Sequence, residues 1–120
     1  DCLIVGVSSY ALIRKYKHLS PIISYKDRAS VVKDLKYVNE VIKQDRFFDV
    51  EQLRPYRIDI IVLGNDWENK SFPELENCLK TLNIKMIYLP YTKRLSSSSI
   101  KEKIIRMAIP IIRSQSKRTK

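Results

Sequence analysis

With 120 residues, an apolar share of 44% and a net charge of +10, the chain holds enough material for one core of ordinary size, and several domains are excluded. No apolar run approaches the ~20 residues of a membrane span, and no secretory leader precedes the first strand, so a soluble, cytoplasmic protein without a transmembrane segment is expected. Cys2 and Cys78 stand apart, each beside apolar residues and without metal-ligand spacing, which predicts two buried thiols, no disulfide and no metal site.

In chain order, Leu3-Ile4-Val5-Gly6-Val7 is a nearly continuous apolar run of the kind a strand covered on both faces requires. Helices are predicted over Asp27 to Lys36, where Val31, Val32 and Leu35 share a face, and over a short stretch from Val50 to Arg54 stopped by Pro55. Ile58 to Leu63 reads as a second buried strand, Pro73 to Leu82 as a helix capped near Ser71 or Phe72, and Ile84 to Leu89 as a third strand. The last helix is predicted to start at Ser99, with Ile100, Ile104, Met107 and Ile111 on one stripe packed into the core and Pro110 kinking or ending it. Strand and helix alternate, so the expected fold is α/β, a Rossmann-like parallel sheet flanked by helices.

Ligands of such sheets gather at the carboxyl ends of the strands. Ser8 and Ser9 follow the first strand, Asn65-Asp66-Trp67 the second, and Thr92 to Ser98 the last, so all three sets are expected on one edge. The segment from Tyr88 to Lys101 passes from an apolar strand through Lys93 and Arg94 into four serines at a helix start, the outline of a phosphate cradle. A structural account competes for one serine: Ser99 with Glu102 has the spacing of a capping box.

Three segments, Lys36-Tyr37-Val38-Asn39-Glu40-Val41-Ile42, then Asp59 to Trp67 with Gly64-Asn65-Asp66-Trp67, then the serine segment, stand in this order. They resemble the glycerol-3-phosphate cytidylyltransferase family, which reads R-Y-V-D-E-V-I, D-x-x-V-x-G-[DN]-D-W and Y-L-P-R-T-x-G-I-S-T-T-x-I-K. The resemblance runs from Asp1 to about Met107, with a few extra residues between Trp67 and Tyr88.

That resemblance implies a cytidylyltransferase: an alcohol phosphate attacks the α-phosphorus of CTP, carried with Mg²⁺, and gives a CDP-alcohol and pyrophosphate. It implies catalytic roles for Lys15 and Lys17, read as a mobile pair in the loop after the first strand. Arg28, after Ser24-Tyr25, matches the arginine of S-Y-x-x-R and would hold the acceptor phosphate with Lys36, which replaces an arginine. Asp66 and Trp67 would bind the nucleotide together with Thr92, Ser96, Ser97 and Ser98. Read from the residues alone, the lysines fit a solvated loop, Arg28 a surface helix charge and Trp67 core packing. The resemblance leaves the alcohol open among glycerol, ethanolamine and choline phosphates, and it allows a homodimer.

Departures from the family pattern are Tyr91 for arginine, Arg94 for glycine and Asn39 for aspartate. The family's first strand and its H-x-G-H helix start are absent, and His18 cannot replace both histidines. The expectation is therefore an incomplete cytidylyltransferase-like domain over 1–109, inactive alone, with unpaired apolar strand edges, followed by a basic tail over 110–120. A noncatalytic α/β module binding a phosphorylated ligand or a protein is the alternative. From Thr92 to Lys120 nine Lys or Arg face one Glu, a net of +8 that leaves +2 for the rest. Without interleaved aromatics or a recognition helix, this charge predicts no specific nucleic-acid partner.

Overall fold

In the computed structural model, which describes residues 1–118, strands and helices alternate. The order is β1 (Ile4–Ser8), α1 (Tyr10–Lys17), α2 (Tyr25–Lys33), β2 (Glu40–Gln44), α3 (Val50–Leu53), β3 (Ile60–Gly64), α4 (Pro73–Leu82), β4 (Lys85–Leu89) and α5 (Ser97–Arg118). The fold is α/β, with parallel strands flanked by helices. β1 and β2 run parallel with Val7 opposite Lys43 and Ser8 opposite Gln44. The ladder continues one residue further, where the Ser9 N–H donates to the Gln44 carbonyl at 2.8 Å. β3 and β4 pair separately, so the described strands form two two-stranded sheets.

At the amino ends of the first pair, Asn39 is tied to β1 twice. Its Oδ1 accepts from the Leu3 N–H at 2.7 Å and its own N–H donates to the Leu3 carbonyl at 2.9 Å. An aspartate would accept the same bond. The Asn39 departure therefore preserves a strand-start tie, at the end of the sheet opposite Ser8.

Several element boundaries differ from the sequence expectation. Residues 10–17 are helical where a loop was expected, because Ser9 Oγ caps Leu12 N–H at 3.1 Å and Leu12 and Ile13 bury their side chains. α2 starts at Tyr25, two residues early, since Ser24 Oγ accepts from Asp27 N–H. β2 went unpredicted; it begins inside the segment Lys36–Ile42 and runs on to Gln44. α5 starts at Ser97, not Ser99, and continues through Pro110 to Arg118. Proline removes one intrahelical hydrogen bond there without ending the helix. The 110–118 part of the basic tail is thus helical, and Thr119 and Lys120 lie outside the described residues.

The chain divides into two compact units, Asp1–Ile61 with Ser71–Lys85, and Val62–Lys70 with the chain from Met86 on. The first has a core of Val7, Leu12, Ile13, Phe48, Leu75, Cys78 and Ile84. α2 packs on β1 and β2, and α3 on α4. Phe47 joins the layers, its ring 5.1 Å from Tyr16 of α1 and 5.9 Å from Phe72 before α4. Phe48 holds φ at 57°, a left-handed backbone that costs a bulky residue of order 1–2 kcal/mol. Burial of its ring and a hydrogen bond from the Cys78 thiol to its carbonyl hold it there. Cys78 is buried as expected, whereas Cys2 is exposed; both thiols are free.

The second unit has no buried side chain among its described residues. The α5 stripe expected in the core is open to solvent: Ile104 is 60% exposed and Met107 65%, and Ile100 and Ile111 are exposed with them. Helical periodicity sets which residues share a face, not whether anything covers that face. Alternation along β3 and β4 likewise leaves Ile60, Val62, Ile87 and Leu89 exposed.

Candidate functional site

At the carboxyl end of β1, Ser8 and Ser9 divide into two roles. Ser9 is buried, its hydroxyl spent on capping α1. Ser8 offers its carbonyl to Arg28, whose Nη1 donates at 2.8 Å across twenty residues. Arg28 Nε donates to the Ile23 carbonyl at 3.0 Å. The guanidinium is thus clamped between the loop before α2 and the end of β1, and its Nη2 is buried without a hydrogen-bond partner. A buried guanidinium nitrogen with no acceptor costs desolvation that an anion would offset. Arg28 is therefore not the plain surface charge that the residue alone suggested.

Lys15 and Lys17 sit on α1, not in a loop, and both are exposed. Lys15 follows the Ser9 cap by six residues, about 9 Å along a helix, so α1 carries both lysines away from the strand end. Lys17 Nζ lies 5.7 Å from the Tyr16 ring centroid. Lys36 stands in the turn leading into β2, with Nζ 5.4 Å from the Tyr37 ring centroid. That is the amino end of the strand, so Lys36 is not brought beside Arg28. His18 is the left-handed cap that ends α1.

In the second unit, β3 ends in the 3₁₀ turn Asn65–Trp67. Asn65 Oδ1 accepts from the Tyr91 N–H at 2.9 Å and so joins this turn to the segment after β4. Gly64 makes room for the turn: a Cβ there would overlap the Asp66 carboxylate and come within 3.8 Å of the Tyr91 ring. Asp66 is exposed, and Trp67 is half-buried with Lys70 Nζ 5.0 Å from its ring centroid.

Thr92 and the serines line the approach to α5. The capping box pairs Ser96 with Ser99, not Ser99 with Glu102. Ser96 Oγ accepts from Ser99 N–H at 3.1 Å, and Ser99 Oγ accepts from Ser96 N–H at 3.2 Å. A serine at the third helical position performs the reciprocal bond usually left to glutamate. Ser96 is thereby committed to structure, while Thr92, Ser97 and Ser98 are exposed, with no side-chain hydrogen bond among the described residues.

Sequence reading missed Asn65 as a tie, Tyr25 as a ring beside Arg28, and Lys43. The first two lie inside quoted motifs, but Lys43 had no signal at all. Among the described residues no group of three His, Cys, Asp or Glu could hold a metal, and no helix is long and apolar enough to cross a membrane.

Parallel βαβ connectivity and polar groups after each strand place the chain in the Rossmann-like α/β class. The family description Cytidylyltransferase-like matches residues 1–103. The chain is 36% identical over 108 residues to an FAD synthase of Korarchaeum cryptofilum, covering 88% of this chain and 71% of that protein. It is 31% identical over 106 residues to the glycerol-3-phosphate cytidylyltransferase of Bacillus subtilis, covering 87% and 76%. Against the bifunctional protein HldE of Wolinella succinogenes, identity is 42% over 71 residues, 58% of this chain but 15% of that one. In structure it is similar to a lipopolysaccharide core biosynthesis protein from Thermoplasma volcanium, with a TM-score of 0.59, 24% identity, and coverage of 77% and 76%; this likeness concerns the fold. The chain belongs to the cytidylyltransferase-like family, and its enzyme class is that of the nucleotidyltransferases.

Proposed function

We propose that this chain serves the transfer of CMP from CTP to an alcohol phosphate. A phosphate oxygen of the acceptor forms a bond to the α-phosphorus of CTP, the bond from that phosphorus to the bridging oxygen breaks, and pyrophosphate leaves with the electron pair. Such a reaction needs positioning and charge neutralisation more than a covalent nucleophile. The observation that carries the reading is the Arg28 guanidinium, fixed by two backbone carbonyls with one nitrogen still seeking an acceptor. In this reading Arg28 takes the acceptor phosphate. Asp66, Trp67, Thr92, Ser97 and Ser98 take the nucleotide, and Lys15 and Lys17 supply mobile charge from α1.

In this reading Mg²⁺ enters as a companion of the CTP phosphates, which it binds while keeping several waters. The Bacillus subtilis relative carries its acceptor in its name, so glycerol 3-phosphate is the first acceptor to try. In this reading the work is done in the cytoplasm.

The test is pyrophosphate release from CTP with glycerol 3-phosphate and MgCl₂, beside calorimetric titration of each ligand. Binding of both with turnover supports the transferase. Binding of glycerol 3-phosphate with no affinity for CTP supports the noncatalytic module instead. Failure to bind either would overturn both.

A further inference from the structure

The ring beside Arg28 has a second cation near it that no motif marks. Tyr25, the first residue of α2, is approached by two positive groups: Arg28 Cζ lies 5.9 Å from its ring centroid and Lys43 Nζ 5.3 Å. Lys43 reaches the ring from β2, where it pairs with Val7, one residue before the Ser8 whose carbonyl anchors Arg28. Its backbone is fixed on the other side, the Lys43 carbonyl accepting from Gln52 Nε2. Two elements, α2 and β2, therefore deliver one ring and two cations to the carboxyl end of the β1–β2 pair.

Neither cation is neutralised by a carboxylate. The ion pair among the described residues joins Arg54 and Glu51, and the buried Arg28 Nη2 has no acceptor. Attraction to the face of a tyrosine holds an exposed cation only weakly, well short of neutralising it. Both cations lie within 6 Å of the same ring centroid, so an anion with several acceptor oxygens bound beside Tyr25 would meet both. A phosphate monoester dianion has the charge and oxygens for both.

We propose that Lys43 is a second phosphate-binding cation of this site, acting with Arg28 on the dianionic phosphate of the acceptor, with Tyr25 as the ring that holds both in place. This rests on the transferase reading for the identity of the acceptor. Lysine suits the role, since its flexible stem lets an exposed ammonium follow the ligand while the clamped guanidinium stays fixed.

The experiment is calorimetric titration of the full chain with glycerol 3-phosphate, and separately with inorganic phosphate, at fixed ionic strength. Lys43→Gln is expected to weaken both by about tenfold, the loss of one charge-assisted hydrogen bond. Lys43→Arg is expected to recover most of that affinity. Lys80→Gln, an exposed α4 lysine, is expected to leave it unchanged. Thermal melting of each variant checks folding, which an exposed lysine should not disturb. If Lys43→Gln binds like the parent, or loses no more than Lys80→Gln, the assignment of Lys43 falls while the transferase reading stands. If the parent binds neither phosphate nor glycerol 3-phosphate, both fall.

Discussion

Asn65 Oδ1 accepts the Tyr91 N–H at 2.9 Å, so a side chain after β3 fixes the backbone after β4, twenty-six residues on. The bond depends on an acceptor at position 65 and not on an amide. Asn65→Asp is expected to keep it and Asn65→Ala to lose it, at a cost of about 0.5–1 kcal/mol because the groups are exposed. Urea unfolding of the two variants checks this, and equal stabilities would mean the tie carries no weight.

Gly64 has an ordinary backbone, with φ at −70°, so alanine there is not strained by conformation. What the new Cβ meets is the Asp66 carboxylate, the movable end of a side chain. Gly64→Ala should therefore melt within a few degrees of the parent while displacing Asp66. If Asp66 binds the nucleotide, Gly64→Ala and Asp66→Ala should lose CTP affinity to a similar degree by calorimetry. A large drop in melting temperature would instead place the conflict in the backbone.

Neighbouring serines should separate capping from ligand binding. Ser96→Ala removes the Oγ that caps Ser99 N–H and should lower stability by about 1 kcal/mol. Ser97→Ala removes an exposed hydroxyl with no bond among the described residues and should leave stability unchanged. Under the transferase reading Ser97→Ala weakens CTP binding instead. Melting and titration on the same two proteins read both effects.

What the sequence revealed and what it hid follow from the range of each interaction. β1, β3 and β4 were legible because β-branched runs bounded by polar residues have few other uses. Arg28 was singled out only by the resemblance to S-Y-x-x-R, because its two backbone acceptors, Ile23 and Ser8, belong to a loop and a strand that its own helix does not specify. α1 was missed because it is only eight residues long and carries Arg14, Lys15 and Lys17, and its helical character rests on Leu12, Ile13 and a serine cap. Lys43 could not be read, since its meeting with Tyr25 depends on the register between β1 and β2. The α5 stripe was read correctly as a stripe and placed wrongly in the core, because nothing local to a helix says what lies against it.

The two cysteines should differ in reactivity and in their effect on pH dependence. Burial pushes the Cys78 thiol above its ordinary range, and the negative charge of Asp49 adds to that. A raised value favours the neutral thiol in the folded state. The associated stability is present below the ordinary cysteine range near pH 8.5 and is lost as pH climbs through the higher folded value. Ellman's reagent at pH 8 should thus titrate exposed Cys2 quickly and Cys78 at a rate set by unfolding. Cys78→Ala should remove the part of the alkaline destabilisation due to this thiol. Equal labelling of both thiols would show that Cys78 opens without unfolding.

The exposed isoleucines of α5 share their helix with Lys101, Lys103, Arg106, Arg113, Lys117 and Arg118, opposed by Glu102 alone. One short segment thus holds both a tendency to adhere and the repulsion that keeps copies apart. Dissolved salt acts on only one of these. The Debye length falls from about 30 Å at 0.01 M ionic strength to about 3 Å at 1 M, shortening the reach of the charges while the apolar contacts remain. The colloidal state of the isolated chain should accordingly be set by ionic strength: dispersed in dilute buffer, clustering as salt rises, and dispersed again when Ile104 and Ile111 are both changed to glutamine. Light scattering across a sodium chloride series would show it, and a scattering curve indifferent to salt would mean that α5 does not govern how these molecules meet.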